Sequence, residues 1–527
     1  MYRICYIVQQ HVTLNSKKQV MILRGLITTV CFMLFSVVST NGQKIIFSEP
    51  ERDDSRRINF EIIGKMGDNF LIYKNIRNDN FICVYDNDMK LIEKISHDYI
   101  PNERLINVDF FTYPDYAYMI YQYQRRNVVH CYAVKINGSG RLLSDPVELD
   151  TAAIGGSANN KVFTALTSED KKRLIVFKIN SKNKSLFRIT TNLYDEELRK
   201  LKSSAMYLPM EERNDDLGEF ALDNKGNLVF SKFYRRGNES ISRAYVVIKK
   251  AMDDSLTYYP VSLEDSFLDE IRIKVDNYND RYLISSFYYT QRRGSIEGLY
   301  FMAMDPGTLR ETMSRKFEFN EDLRREARSE SNVRMAFNDY FIRNITIKRD
   351  GGFLLDAESY FTTSRSSSWN RWDYIYGSPF MNPYDYYYYY SPYYSSWWWR
   401  RNPSNQSVRY HADNIVIFSF DKDGKLLWNN VIKKDQYDDE TDDRISFQVM
   451  NTGDKLHYLF NIQERRSLLL NDFALSPGGE VNRNPTLKGL DKGHEFLTKY
   501  GKQVSARQFI VPCFFRNYIC FAKVELN

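Results

Sequence analysis

Seven times along this chain, at intervals of about 45 to 60 residues, an apolar and aromatic run passes through a tight Asp/Asn/Gly turn into one more short apolar run. The turns are Asp86-Asn87-Asp88, Asn137-Gly138-Ser139-Gly140, Asp223-Asn224-Lys225-Gly226, Asp305-Pro306-Gly307, Arg349-Asp350-Gly351-Gly352, Asp421-Lys422-Asp423-Gly424 and Ser476-Pro477-Gly478-Gly479. Residues of these types reach positive φ at low steric cost, which a tight hairpin needs. The flanking runs are rich in Tyr, Phe, Val and Ile with loose alternation, the composition of half-buried antiparallel strands. Self-similarity at a fixed period implies units that bury their apolar faces only against one another.

The first unit runs from Ile58 to about Ile95, the second from Ile106 to Leu149 and the third from Val162 to Leu208. The fourth covers Glu219 to Leu263, the fifth Ile271 to Phe319, the sixth Phe341 to Ile432 and the seventh Ile445 to Leu487. Each reads as an inner strand, a hairpin to a second, a third strand and an outer fourth. The best short helix is Phe319–Arg334. After Lys502 only two or three strands remain (RQFIVPCFF and YICFAKVEL), so the last unit lacks its outer strand. Lys44–Ser48 (KIIFS) offers one, and a polar link and an inner strand follow it. The same order, YYPVSL, EDSFLDE and IRIKVD, joins the fourth unit to the fifth. Pairing the two termini in one unit would remove an exposed edge.

Strand-built repeats with a period near 50 resemble the blades of the β-propeller superfamily, and the resemblance covers nearly all of the chain beyond residue 42. The expected fold is all-β: a single β-propeller of about eight four-stranded blades, seven continuous and one shared by the termini. A seven-bladed ring is the alternative. No Trp-Asp dipeptide or other family-specific fingerprint recurs, so the resemblance carries no site residue.

Residues 1–42 read as a leader, with Met21 the expected true start. Arg24 supplies positive charge and Gly25–Val38 an apolar stretch short for a bilayer span. Small and polar Ser39–Gly42 follow, so cleavage is expected just before Gln43. The mature chain is then exported, to the periplasm, the outer membrane or the medium, and meets a membrane only through an uncleaved leader. Lys plus Arg number 73 against 67 Asp plus Glu, and 69 against 67 without the leader. That balance is not that of a nucleic-acid binder. Of the cysteines beyond the leader, Cys83 and Cys131 lie in apolar strand patterns and read as buried small hydrophobes. Cys513 and Cys520 flank Arg516-Asn517. With a two-residue turn there they face each other, at the roughly 5.5 Å Cα separation that suits a disulfide. The alternative is a pair of core thiols.

Residues 362–410, within the sixth unit, break the rhythm. From Ser364 to Val408 there are ten Tyr, five Trp and one Phe, against Ile375, Met381 and Val408 as the aliphatic residues. Pro379, Pro383, Pro392 and Pro403 break any long regular element. Each aromatic side chain covers roughly 150–250 Å² when enclosed, so these rings, half exposed, would present on the order of 1,200–2,000 Å². Monomers seldom show patches above roughly 300–600 Å². Three covers are open: the insertion folds back as a plug, it meets a partner protein, or it meets a polysaccharide at the cell envelope. Tyr, Trp, Ser, Gly and Asn with some Arg is the composition of an antibody paratope. The residues expected to make contact are Trp369, Trp372, Tyr374, Tyr376, Tyr387, Tyr389, Trp397, Trp398 and Trp399, with Arg400 and Arg401 packing on rings as cations. Tyr386–Tyr390 is also a self-association hazard.

The remaining chemistry is sparse. His97, His130, His411, His457 and His494 show no metal-ligand spacing and no Cys-x-x-Cys occurs, so neither a metal nor a cofactor is expected. No phosphate loop, dinucleotide fingerprint or nucleophile elbow is present. Asp421–Gly424 reads as a hairpin turn rather than a calcium loop. Asp435–Asp443 (DQYDDETDD) reads as a solvated loop between units. Asp356 and Glu358, two apart in a strand, share a face and could serve glycoside chemistry, although a strand turning outward to solvent gives the same pattern. Two functions follow: an exported, non-enzymatic binding or scaffolding module, or an enzyme acting on glycans with the insertion as substrate platform.

Overall fold

Second strands of the repeats carry the most continuous apolar runs, and they lie in the sheet interiors. Asn69–Ile76 and Arg281–Tyr289 are buried along nearly their whole length. Fourth strands such as Leu91–Ser96 and Lys200–Pro209 alternate between exposed and more buried positions. A strand covered on both faces lies between neighbouring layers, and one exposed at every other residue lies at a rim. The computed structural model describes residues 44–52, 58–101, 104–158, 161–183, 185–210, 215–235, 240–292, 294–328, 333–364, 408–439, 441–464, 467–485 and 493–526. Residues 45–525 form one compact unit, and the sheets below belong to it.

Among the described residues, five sheets are four-stranded antiparallel meanders. They run from Ile58–Met66 to Leu91–Ser96, Arg104–Thr112 to Val147–Ala153, Thr164–Thr167 to Lys200–Pro209, Tyr340–Ile347 to Leu426–Asp438, and Phe447–Asn451 to Val481–Arg483. Two more meanders, Asp215–Leu222 to Thr257–Pro260 and Arg272–Asp276 to Arg310–Glu318, are joined by a short strand, Phe267–Leu268. It pairs with Ile241 on one side and with Tyr288 and Tyr289 on the other. The remaining sheet has five strands: Lys44–Phe47 lies at its outer edge beside Tyr518–Glu525, and both Lys502–Ser505 and the short strand His494–Phe496 pair with Gln508–Phe515. Ser48 N donates to Phe521 O at 2.8 Å, and Glu51 N donates to Ile519 O at 2.7 Å. The C-terminal unit thus takes its missing strand from the N-terminal segment, as the sequence predicts.

The seven tight turns occupy two positions in the meanders rather than one. Those at Asp86, Asn137, Asp305, Asp421 and Ser476 join third to fourth strands; those at Asp223 and Asp350 join first to second. In a meander both connections lie at the same end, so the sequence repeat marks one edge of the sheets. Turn side chains cap their own backbones. Asp86 Oδ1 accepts from Asp88 N and Lys90 N, and Asp223 Oδ1 accepts from Lys225 N and Asn227 N. The third meander has its own turn of this kind at Asp195, with Leu198 at φ 61° in place of glycine. Glu196 and Glu197, in place of the Asn, Asp, Pro or Gly of the other turns, hide it from the sequence pattern.

First strands are irregular. Five carry a register shift against their second strands: at Ile62/Gly64, Leu105/Asn107, Gly218/Ala221, Ile342/Asn344 and Gln503/Ser505. Such bulges bend a strand and re-aim its side chains. Cores form between successive sheets: Leu283, Phe287 and Phe301 pack with Phe353, Leu355, Phe418 and Phe420 of the next. The helix expected at Phe319–Arg334 is shorter, Glu321–Ala327; its N-cap Asn320 side chain accepts from Leu323 N, and Leu323 and Ala327 enter that same core. No helix among the described residues is long and apolar enough to cross a membrane.

Candidate functional site at the base of the insertion

The aromatic insertion leaves the sixth unit between its second and third strands, Phe353–Ser364 and Val408–Phe420, which stay paired out to Ser364 and Val408. This hairpin end is opposite the end that carries the tight turns. The predicted contact residues Trp369, Trp372, Tyr374, Tyr376, Tyr387, Tyr389, Trp397, Trp398, Trp399, Arg400 and Arg401 lie outside the described residues. The stems lie within them, and ionisable side chains converge there from three sheets.

Glu358 is fully enclosed. Its Oε1 lies 2.8 Å from Lys434 Nζ, and its Oε2 accepts from Arg343 Nε at 2.9 Å and from Ser446 Oγ at 2.6 Å. Burial pushes this carboxyl up, but Lys434, Arg343 and the donated hydrogen bonds hold it below its ordinary value. Lys434, also fully enclosed, donates to Ala412 O at 2.6 Å and Gln436 Oε1 at 2.7 Å. Burial draws its ammonium below the usual lysine range, against the pull of Glu358. Asp356, two residues earlier on the same face, accepts from Tyr458 OH of the next sheet at 2.8 Å. Burial pushes the Asp356 carboxyl up to about 7.

These positions correct two expectations. Asp356 and Glu358 are 1% and 0% exposed, so the strand does not turn outward there. It continues paired to Ser364, and both carboxyl groups serve neighbouring side chains. Nor is Asp435–Asp443 a solvated loop throughout. Its first part belongs to the strand Leu426–Asp438, with Asp435 exposed and Gln436 buried. Asp442 and Asp443 are buried. Asp442 Oδ2 accepts from Tyr360 OH at 3.0 Å and Lys499 Nζ at 2.7 Å, and Asp443 Oδ1 accepts from Tyr500 OH at 2.6 Å. Asp442 therefore ties an insertion stem, the start of the seventh sheet and the approach to the shared sheet into one knot.

Above the buried carboxylates lies a mixed rim. The Arg343 guanidinium sits 5.4 Å from the Tyr360 ring centroid and 5.8 Å from that of Phe341. About a third of the Arg343 and Lys499 side chains remains open to solvent. Further out, Arg409 grips Asp439 with two hydrogen bonds, of 2.6 and 3.1 Å, and His411 stacks on Phe361 with ring centroids 4.5 Å apart. Burial, with Arg409 nearby, keeps His411 below the usual histidine range. The arrangement anchors both stems and offers cations and rings to solvent beside them. Sequence reading missed Arg343, Lys434, Asp442, Asp443 and Lys499. The alternation of Lys434, Gln436 and Asp438 within a strand was the available signal.

Cys513 and Cys520 are directly opposed in the shared sheet, and both are buried thiols with Sγ atoms 2.8 Å apart. Cys83 and Cys131 are buried, as expected of small core residues. No group of His, Cys, Asp or Glu among the described residues is placed to hold a metal ion.

No protein-family model matches the chain, and no curated protein matches it. Among solved structures, an ulvan lyase bound to -[GlcA(1-4)Rha3S]- aligns with 78% of this chain and 90% of its own, at 12% identity and a TM-score of 0.35. The polysaccharide lyase Uly1 aligns with 80% of this chain and 90% of its own, at 9% identity and a TM-score of 0.38. Prolyl oligopeptidase B from Galerina marginata aligns with 88% of this chain but 56% of its own, at 9% identity and a TM-score of 0.41. Likenesses this distant say nothing of substrate or activity. The run of four-stranded antiparallel sheets itself fits the β-propeller superfamily and marks no family within it.

Proposed function

We propose that this chain is an exported, non-enzymatic recognition module: a closed propeller of eight blades that presents the aromatic insertion to a protein or polysaccharide at the cell envelope. The observation that carries this reading is the base of the insertion. Both stems grow from strands fixed by the enclosed Glu358–Lys434 pair and by the Asp442 knot, a rigid mount for a contact element. Asp356 and Glu358 are enclosed and committed to neighbours, which favours recognition over carboxylate catalysis. Closure of the ring is supported by Lys502, whose Nζ donates to Ile62 O at 2.9 Å and Ile63 O at 3.1 Å. That contact sets the first strand of the shared sheet against the first strand of the first.

A second reading, an enzyme acting on glycans with the insertion as platform, draws on the convergence of Arg343, Tyr360 and Lys499 beside the stems. One experiment separates the readings. Residues 365–407 are deleted and the stems joined by a short Gly/Ser turn. Thermal unfolding, co-purifying proteins, retention on a polysaccharide panel and release of oligosaccharides are then compared with the parent. Recognition predicts a folded variant that loses a protein or polysaccharide partner, with no oligosaccharide released by the parent. Release by the parent, lost on deletion, establishes the enzyme. A variant that unfolds without losing a partner makes the insertion a structural plug.

A further inference from the structure

Arg516 and Asn517 make the two-residue turn of the hairpin Gln508–Phe515/Tyr518–Glu525, at φ 49° and 69°, and this fixes the register of everything behind it. Phe515 faces Tyr518, and Cys513 faces Cys520. The two thiols point to the same side of the sheet, both wholly enclosed, 2.8 Å apart. A disulfide bond is about 2.05 Å long and spans Cα separations of roughly 4.4–6.8 Å, so bond formation asks the sulfurs to approach by less than about 1 Å with no change of register. Cys83 lies in the first sheet and Cys131 in the second, each within its own strand. His494 hydrogen-bonds the Cys520 thiol, and its ring is stacked between Phe47, at 4.0 Å, and Phe515, at 4.7 Å. Phe521, the residue after Cys520, exchanges hydrogen bonds with Ser48, so the pair sits where the N-terminal segment is held.

We propose that Cys513 and Cys520 form an intramolecular disulfide, made by exchange with a disulfide-bearing oxidant, and that it staples the hairpin receiving the N-terminal strand. One of the two cysteine thiolates attacks one sulfur of the oxidant and expels the other as a thiolate, giving a mixed disulfide. The other cysteine thiolate then attacks the Sγ of the first, forms the protein disulfide and expels the second oxidant thiolate. Two protein thiols are oxidised, one external disulfide is reduced to two thiols, and the protons of the cysteines pass to the expelled sulfurs. Because both sulfurs are enclosed in the folded sheet, the exchange belongs to folding, before the hairpin is covered.

The test refolds the full chain from denaturant in a mixture of oxidised and reduced glutathione, quenches with acid and alkylates free thiols under denaturing conditions. Trypsin cleaves after Arg516, between the two cysteines, so the disulfide appears as peptide 508–516 linked to peptide 517–523. The expected result is that linked pair as the major form. It should come with a Tm above that of the reduced protein, a shift that vanishes in the Cys513→Ser/Cys520→Ser double variant. Both peptides fully alkylated after oxidative refolding, glutathione adducts without the link, or links to Cys83 or Cys131 would each overturn the proposal. If the double variant does not fold, the linked-peptide assay on the unaltered chain decides alone.

Discussion

Glu358 and Lys434 show how much one buried pair fixes in this protein. Removing one partner of an enclosed ion pair strands the other's charge, at a cost of about 3–5 kcal/mol. Glu358→Ala should lower stability by that order in urea unfolding, and Glu358→Leu combined with Lys434→Met should recover a large part of the loss. Asp356 sets a pH dependence. A free aspartate titrates near about 3.9, and the folded group titrates near about 7. Between these values the native state keeps a proton that the unfolded chain has released, so Asp356 makes stability fall as pH rises from about 4 to about 7. Asp356→Asn keeps a hydrogen-bond acceptor for Tyr458, and its urea midpoint minus that of the parent should grow over that window. A flat difference would show that Asp356 is ionised throughout. The sequence places Asp356 and Glu358 on one face. It does not reveal Lys434 as counter-charge, because the pairing that brings Lys434 there spans the insertion and a further hairpin, and no local pattern encodes it.

Elements were legible wherever turn chemistry and alternation agreed. KIIFS was readable as an outer strand because it is apolar, short and followed by the same kind of polar link that joins the fourth and fifth units. Its fastening was not readable: Glu51 accepts from Lys74 Nζ at 2.6 Å, and Lys74 also donates to Tyr85 OH at 2.8 Å in the first sheet. Deleting residues 44–52 should therefore expose the backbone edge of Tyr518–Glu525 and leave Lys74 without its carboxylate. The expected outcome is a protein that sediments as multimers where the parent sediments as one smaller species, since an unpaired edge recruits other edges. The bulges of the first strands escaped the sequence for a different reason. A bulge is defined by two strands together, and each strand alone reads as regular.

Across the molecule, both ends of the described chain lie in one sheet with antiparallel sense, Ser48 opposite Phe521. Ile45 and Glu525 are then close enough for a short turn of the Asp-Gly type that joins other third and fourth strands. A circular permutant with such a turn between them, and new ends opened within residues 365–407, should fold with a Tm at or above the parent's in thermal unfolding followed by circular dichroism. Failure to fold would mean that the outer strand needs a free end to dock. The shared sheet also sets the order of assembly. The first strand among the described residues, Lys44–Phe47, pairs with the last, Tyr518–Glu525, so a growing chain carries an unsatisfied edge until the final hairpin emerges. The shared sheet is therefore completed only after synthesis ends, and until then the backbone edge of Lys44–Phe47 stays open to any other unpaired strand it meets.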